Sequence, residues 1–392
     1  MTVRPTRSLL TNPILRSIVY QVLLCAAVGL LAYAAISNAA ENLARARIAT
    51  GFGFWNTTAG FDISQTLIDY SSQSSTYGRA FWVGLLNTLL VAGLGIVGAT
   101  VLGFVIGIAR LSRNWLVAKA AAGYVELIRN LPLLLQLLFW YNAVLKALPE
   151  TRDSFVLAGS IFLNNRGLVL PRAIPQDGSS ALALALIGGI VAALLYRTWA
   201  RRRQAQTGQS SPVLVVGVAL TILPALVVLL LKGFPVTFEL PERGRFNITG
   251  GTEALPEFAA LLFGLVIYTA AFIAEVVRAG IQAVPTGQIE AAHALGLRRN
   301  LALRLIVLPQ AMRVIVPPLT SQYLNLVKNS SLAVAIGYPD LVQVFTGTVL
   351  NQTGQAVEVV ALTMAVYLVI SLVTSLAMNL YNRLIAPVGE HP

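Results

Sequence analysis

Charge is what this sequence has least of. Of its 392 residues only 11% are Asp, Glu, Lys or Arg, less than half the roughly 25% usual in a soluble domain. Hydrophobic residues make up 56% and the mean hydropathy is +0.73. A water-soluble globule has too little interior to hide that much apolar surface, so lipid must solvate most of the chain. Cysteine is nearly absent. Cys25 stands alone, which excludes a disulfide framework and a cysteine-based metal site. His293 and His391 are the two histidines and build no metal site by themselves. No G-x-x-x-x-G-K-[ST] phosphate loop occurs, so the chain does not use ATP through one. The acids are scattered, no Ser or His falls in a nucleophile arrangement, and no internal repeat stands out, as inverted transporter halves would.

What the sequence does have is long apolar runs. A membrane helix needs about 20 mostly apolar residues. Eight stretches qualify, at about 15–37, 82–109, 124–147, 181–197, 212–231, 257–278, 314–337 and 358–381. The first has an apolar run too long for a signal-peptide core and no small-x-small cleavage site after it. This predicts an all-α polytopic membrane protein.

The formal charge of +12 then reads as topology. With the N-terminus inside, 17 of the 28 basic residues fall on the inner side against 4 of the 16 acids. Arg4, Arg7, Arg110, Arg113, Lys119 and the run Arg201–Arg202–Arg203 are among the former, and Glu126, Glu275, Glu290 and Glu390 are the latter. The positive-inside rule therefore predicts both termini in the cytoplasm. The Arg run is what topology demands beside a span, and no nucleic-acid partner is expected. Tyr77, Trp82, Trp115, Tyr196 and Trp199 fall at span ends, where aromatic belts sit. Gly95, Ala99, Gly103 and Gly107 recur every four residues in the second span, a small-residue ridge that lets another helix approach.

Four regions follow. Residues 1–80 hold one span and a polar outer segment. Residues 81–148 and 256–392 form the two parts of a core. Residues 149–255 insert two further spans between polar outer loops.

A loop after the sixth span carries the most local information. Pro285 and Gly287 are expected to break the membrane helix. Glu290 then falls in the first turn of a short new helix, where a carboxylate suits the positive helix end. Gly296 suits a left-handed stop. Arg298–Leu308 can form a second helix ended by Pro309. The product is an elbow at about 285–309.

Glu290-Ala291-Ala292, then Gly296, then Ile306-x-Leu308-Pro309 resembles the EAA signature of ABC importer permeases. Tyr124–Asn130, Ala274–Gly280, Pro309-Gln310-Ala311, Pro317-Pro318 and Leu326–Leu332 extend the similarity toward the polar amino-acid (histidine/glutamine permease-like) branch over about 82–147 and 256–385. The first span and the insertion resemble the larger permease subunits of general L-amino-acid uptake systems. The resemblance implies a type I importer core of five helices, plus an extra N-terminal helix and an inserted pair, in a bacterial inner membrane. It implies alternating access driven by a separate ATP-binding cassette ATPase dimer, which holds the ATP and Mg. It implies a second, different permease subunit, a periplasmic substrate-binding protein and an L-amino-acid substrate, with membrane lipid around the spans and no cofactor on this chain. By the same resemblance Glu290, Ala291, Ala292, His293, Gly296, Leu297, Arg298, Ile306, Leu308 and Pro309 form the ATPase-coupling elbow.

Polar residues inside the spans are candidates for a translocation path, because ionisable groups in lipid face a cavity or a partner. They are Asn87, Gln136, Glu275, Gln322, Asn325, Lys328, Asn329, Ser330 and Ser331, with Thr88 and Thr269 beside them. Lys328 reads equally as a gate or as a snorkelling lysine. Glu275 with Arg278, and Glu126 with Arg129, are spaced i and i+3 and read as structural ion pairs. An ion-coupled carrier is the alternative function, and an integral membrane enzyme a third.

Overall fold

The computed structural model describes residues 13–45, 50–244 and 247–385. Arg4, Arg7, Glu390 and His391, weighed above, lie outside the described residues. The chain is mostly helical. Among the described residues seven helices are long and apolar enough to cross a membrane, and a pair bent by 105°, Trp115–Asn130 with Leu133–Leu145, makes an eighth span if its halves cross as one. Seven of the eight expected spans coincide with those helices, and the third, 124–147, falls on the bent pair.

In chain order, α1 (Pro13–Arg45), α2 (Tyr77–Ala109), α3 (Trp115–Asn130) and α4 (Leu133–Leu138) come first. Strands β1 (Phe155–Leu157), β2 (Ile161–Asn164), β3 (Gly167–Leu170) and β4 (Arg172–Pro175) follow. Then come α5 (Ser179–Thr207), α6 (Val213–Lys232) and strands β5 (Val236–Glu239), β6 (Glu242–Arg243), β7 (Ile248–Thr249) and β8 (Thr252–Ala254). Helices α7 (Pro256–Gln282), α8 (Thr286–Ala294), α9 (Arg299–Ala302), α10 (Leu308–Asn329), α11 (Leu350–Thr353) and α12 (Ala356–Ile385) complete the chain. It divides into two compact units, 1–131 with 265–392, and 132–264.

The first unit is held by small residues. Gly95, Ala99, Gly103 and Gly107 are all buried. A Cβ built at Gly103 would stand 2.6 Å from Ile273 Cβ, and one at Gly107 2.8 Å from the Ala274 carbonyl oxygen. At Gly95 it would meet the Leu326 side chain at 3.1 Å. The expected ridge is therefore the face on which α2 receives α7 and α10. At the far end of α2, segment 51–76 of the polar outer segment packs onto the unit. Phe54 is buried and Trp55 lies 5.3 Å from the Phe81 ring. The Asn87 amide donates to the Gln65 and Pro339 carbonyls, both at 2.9 Å.

The second unit holds the insertion. Helices α5 and α6 form a hairpin, tight where a Cβ at Gly189 would stand 2.6 Å from the Leu220 carbonyl oxygen. The polar outer loops around them contain antiparallel strands. A four-stranded sheet has the order β1-β2-β3-β8, and β4-β5 and β6-β7 pair separately. Phe162 lies opposite Val169, and Val169 opposite Glu253. The strands are two to four residues long, too short for a period of two to stand out in the sequence.

The third expected span, 124–147, is not continuous. It breaks at Leu131–Pro132, and Leu131 is extended, because the ring of Pro132 disfavours helical backbone in the residue before it. Trp115 begins α3 rather than closing α2. Asn114 caps that helix by accepting the Leu116 and Val117 N–H groups at 3.0 and 3.3 Å.

Candidate coupling elbow and the polar residues of the spans

The elbow forms where expected, with three corrections. Helix α7 ends at Gln282, and Pro285 stands immediately before α8 with φ −58° and ψ 135°. Gly287 does not break a helix but lies in the first turn of α8. Glu290 is the fifth residue of α8 and so lies in its second turn, where the dipole acts less. Pro309 does not end the second helix. The chain stays helical from α9 through a π-wound segment, Leu303–Val307, into α10, and Pro309 sits in the first turn of α10. Inside a continuous helix a proline forgoes one backbone bond, and the wider winding of Leu303–Val307 just before Pro309 accommodates its ring and missing N–H. Gly296 adopts φ +74°, as a left-handed helix stop requires. The Leu297 N–H donates to the Ala292 carbonyl and the Gly296 N–H to that of His293, at 3.0 and 2.9 Å.

Burial divides the elbow into an anchor and a presented face. Ala292 is buried, and Ile289 packs against a core of Val284, Val307, Ala311 and Ile315. Glu290, Ala291, His293, Gly296, Arg298, Leu308 and Pro309 are exposed, while Leu297 and Ile306 are half-buried. Leu295 is 80% exposed, an apolar side chain with nothing on it at the tip of the elbow. Val307 and Leu295 escaped the sequence reading. Leucine just before a stop glycine was the signal for the second.

The path candidates do not gather into one cluster. Gln136 is buried in the second unit. Asn87 is a tie between α2 and the chain after α10. Ser330 is buried and donates to the Val327 carbonyl at 2.7 Å, and Ser331 donates to that of Lys328 at 2.7 Å. Both hydroxyls are used by their own helix end. Lys328 and Asn325 are exposed, Gln322 and Asn329 half-buried. Thr100 and Tyr323, not singled out above, meet across α2 and α10 at 2.8 Å. Thr88 accepts the Leu341 N–H at 3.0 Å.

The two expected ion pairs part company. Glu275 does bind Arg278, and it also binds Arg110 at the end of α2. Arg110 was missed because the contact spans 165 residues. Glu126 and Arg129 form no ion pair among the described residues. The Arg129 guanidinium instead lies over the Phe272 ring, 5.1 Å from its centre, a cation–π contact. A buried acid, Asp340, was overlooked. It lies between the spans, accepts the Gln343 N–H at 2.8 Å and the Tyr367 hydroxyl at 3.0 Å, and burial pushes its carboxyl up to about 7.

Residues 99–387 match the family described as "Binding-protein-dependent transport system inner membrane component". The chain is 53% identical over 381 residues to the General L-amino acid transport system permease protein AapQ of Rhizobium johnstonii, covering 97% of this chain and 94% of that one. It is 43% identical to the Glutamate/glutamine/aspartate/asparagine transport system permease protein BztB of Rhodobacter capsulatus, covering 89% and 88%. An ion-coupled carrier has no counterpart in these relatives. With a family match over most of its length and an exposed elbow between α7 and α10, this multi-pass membrane chain belongs to the inner membrane components of binding-protein-dependent transport systems.

Proposed function

We propose that this chain is the permease subunit of an ATP-binding cassette importer and moves L-amino acids into the cytoplasm by alternating access. The observation that carries the reading is the elbow. A short helix is anchored through Ile289, Ala292 and Val307 and presents Glu290, Ala291, His293 and Leu295 to a partner. The names of the relatives, general L-amino acids for one and acidic amino acids with their amides for the other, support the substrate class.

In this reading both termini and the elbow are cytoplasmic. An ATPase dimer, which holds ATP and Mg, receives the elbow. A second, different permease subunit completes the pore, and a periplasmic binding protein delivers the substrate. Because the elbow is continuous through α9 with α10 and follows α7 directly, a displacement of α8 reaches both spans. Arg110 on Glu275 joins α2 to the same end.

The test is uptake by vesicles carrying the assembled transporter. Glu290→Lys or Gly296→Asp is expected to abolish ATP-driven uptake while the chain still inserts. Normal uptake by either variant, with the ATPase still bound, would remove the coupling role.

A further inference from the structure

A cavity of about 410 Å³ lies in the first unit, where α2, α3 and α7 meet at their elbow ends. Its walls are Arg110, Glu126, Arg129, Asn130, Phe272 and Glu275. The volume falls within the roughly 300–1,000 Å³ of small-molecule clefts. Two of the four charges are already used, since Glu275 is shared by Arg110 and Arg278. The other two, Glu126 and Arg129, have no counter-ion among the described residues. They stand one helical turn apart and still do not pair. The Phe272 ring holds the face of the Arg129 guanidinium and leaves its N–H edges for an acceptor.

Glu126 and Arg129 both stand exposed in the cavity wall, so an anion here would engage Arg129 alone and a cation Glu126 alone. A small zwitterion satisfies both. We propose that this cavity binds the backbone of a free α-amino acid, with the carboxylate on Arg129 and the ammonium on Glu126. The inference rests on the permease reading above and adds to it a substrate site at the elbow end of the spans, where a substrate that has crossed would be held before release. Asn130 offers a further donor and acceptor, and the Phe272 ring an apolar wall for the side chain.

The experiment measures retention of a radiolabelled mixture of the common L-amino acids by the full chain in lipid nanodiscs. Saturable retention by the wild type is expected. Glu126→Gln and Arg129→Gln should each weaken it by about tenfold or more, equivalent to loss of one charge-assisted contact. Arg129→Lys keeps the charge and should retain most of it. If the Gln variants do not fold, judged by gel filtration, Phe272→Leu tests the same site, with both charges kept and retention weakened severalfold. Retention that is equal in wild type and variants overturns the site, as does none by the wild type. Phosphatidylethanolamine co-purifying with the wild type but not the variants, without retained label, assigns the cavity to a lipid headgroup and overturns it too. Uptake by vesicles of the assembled wild-type transporter separates the two readings. Uptake with unaltered retention in the variants removes the site and leaves the permease. Absence of uptake removes both.

Discussion

Two helix contacts in this molecule are built on glycine and differ in everything around it. In the first unit α2 meets α7 at Gly103 and Gly107, and the contact is closed by α10 and tied at its end by Arg110 on Glu275. In the second unit α5 meets α6 at Gly189, and no ion pair ties that hairpin among the described residues. Leu184, Leu214 and Leu230 remain exposed on its flanks. Lipid tails are as apolar as leucine, so neither contact is driven by hydrophobic burial. Close backbone approach and polar ties do the holding. The lesson is that glycine permits an approach, while the polar ties decide how far it is locked.

Breaking the tighter contact should have the largest effect. Gly103→Leu places a side chain where even a Cβ would lie 2.6 Å from Ile273, and should cost about 3 kcal/mol or more in overpacking. A melting temperature in detergent unchanged from the wild type would sink this account. The second test uses a contrast in buried charge. Asp340 is a buried carboxylate of the first unit, and none is buried in the hairpin. Its folded value of about 7 lies above the ordinary 3.8, so the fold favours the protonated form. The stability it contributes is full below about pH 4 and is lost as pH rises through about 7. Melting measured across that range should fall less steeply for Asp340→Asn than for the wild type, and parallel curves would contradict the assignment.

Next in size, Gly189→Ala should cost about 1–2 kcal/mol, because the added methyl meets backbone, and should loosen only α5 and α6. Cysteine cross-linking across the hairpin reports it, and loss of α2–α7 cross-links as well would erase the distinction between the two contacts. Arg110→Gln leaves a partly exposed Glu275 that keeps Arg278, and should cost about 1 kcal/mol. The exchange of Arg110→Glu with Glu275→Arg should recover part of it, and equal damage from exchange and single variant would mean the pair does not couple. Smallest of all, Leu230→Ala on the lipid-facing flank of the hairpin should stay within about 0.5 kcal/mol, read from the same melting curves.

Much of this is legible in the amino-acid sequence. Long apolar runs mark spans because lipid requires them, and the four-residue spacing of Gly95, Ala99, Gly103 and Gly107 marks a packing face because that spacing repeats once per helical turn. Gly296 announces a stop because only glycine adopts its backbone cheaply. What stayed hidden has equally physical reasons. The strands around the hairpin are too short to carry a period. Pro309 looks like a stop by type, but its effect depends on how the helix just before it is wound. Arg110 and Glu275 are neighbours only through the packing of α2 on α7. Glu126 and Arg129 have the spacing of an ion pair, yet Phe272 on another helix takes the guanidinium.

The sequence by itself determined that this chain lives in lipid, where its apolar runs fall, where the elbow lies along the chain and which family it joins, since these depend on composition and on spacing along one chain. Tertiary structure alone decided which charges are spent and which are left open. Whether Arg110 finds Glu275, whether Asp340 keeps its proton and whether Glu126 and Arg129 line one cavity all depend on distances between helices, and a linear pattern does not encode those.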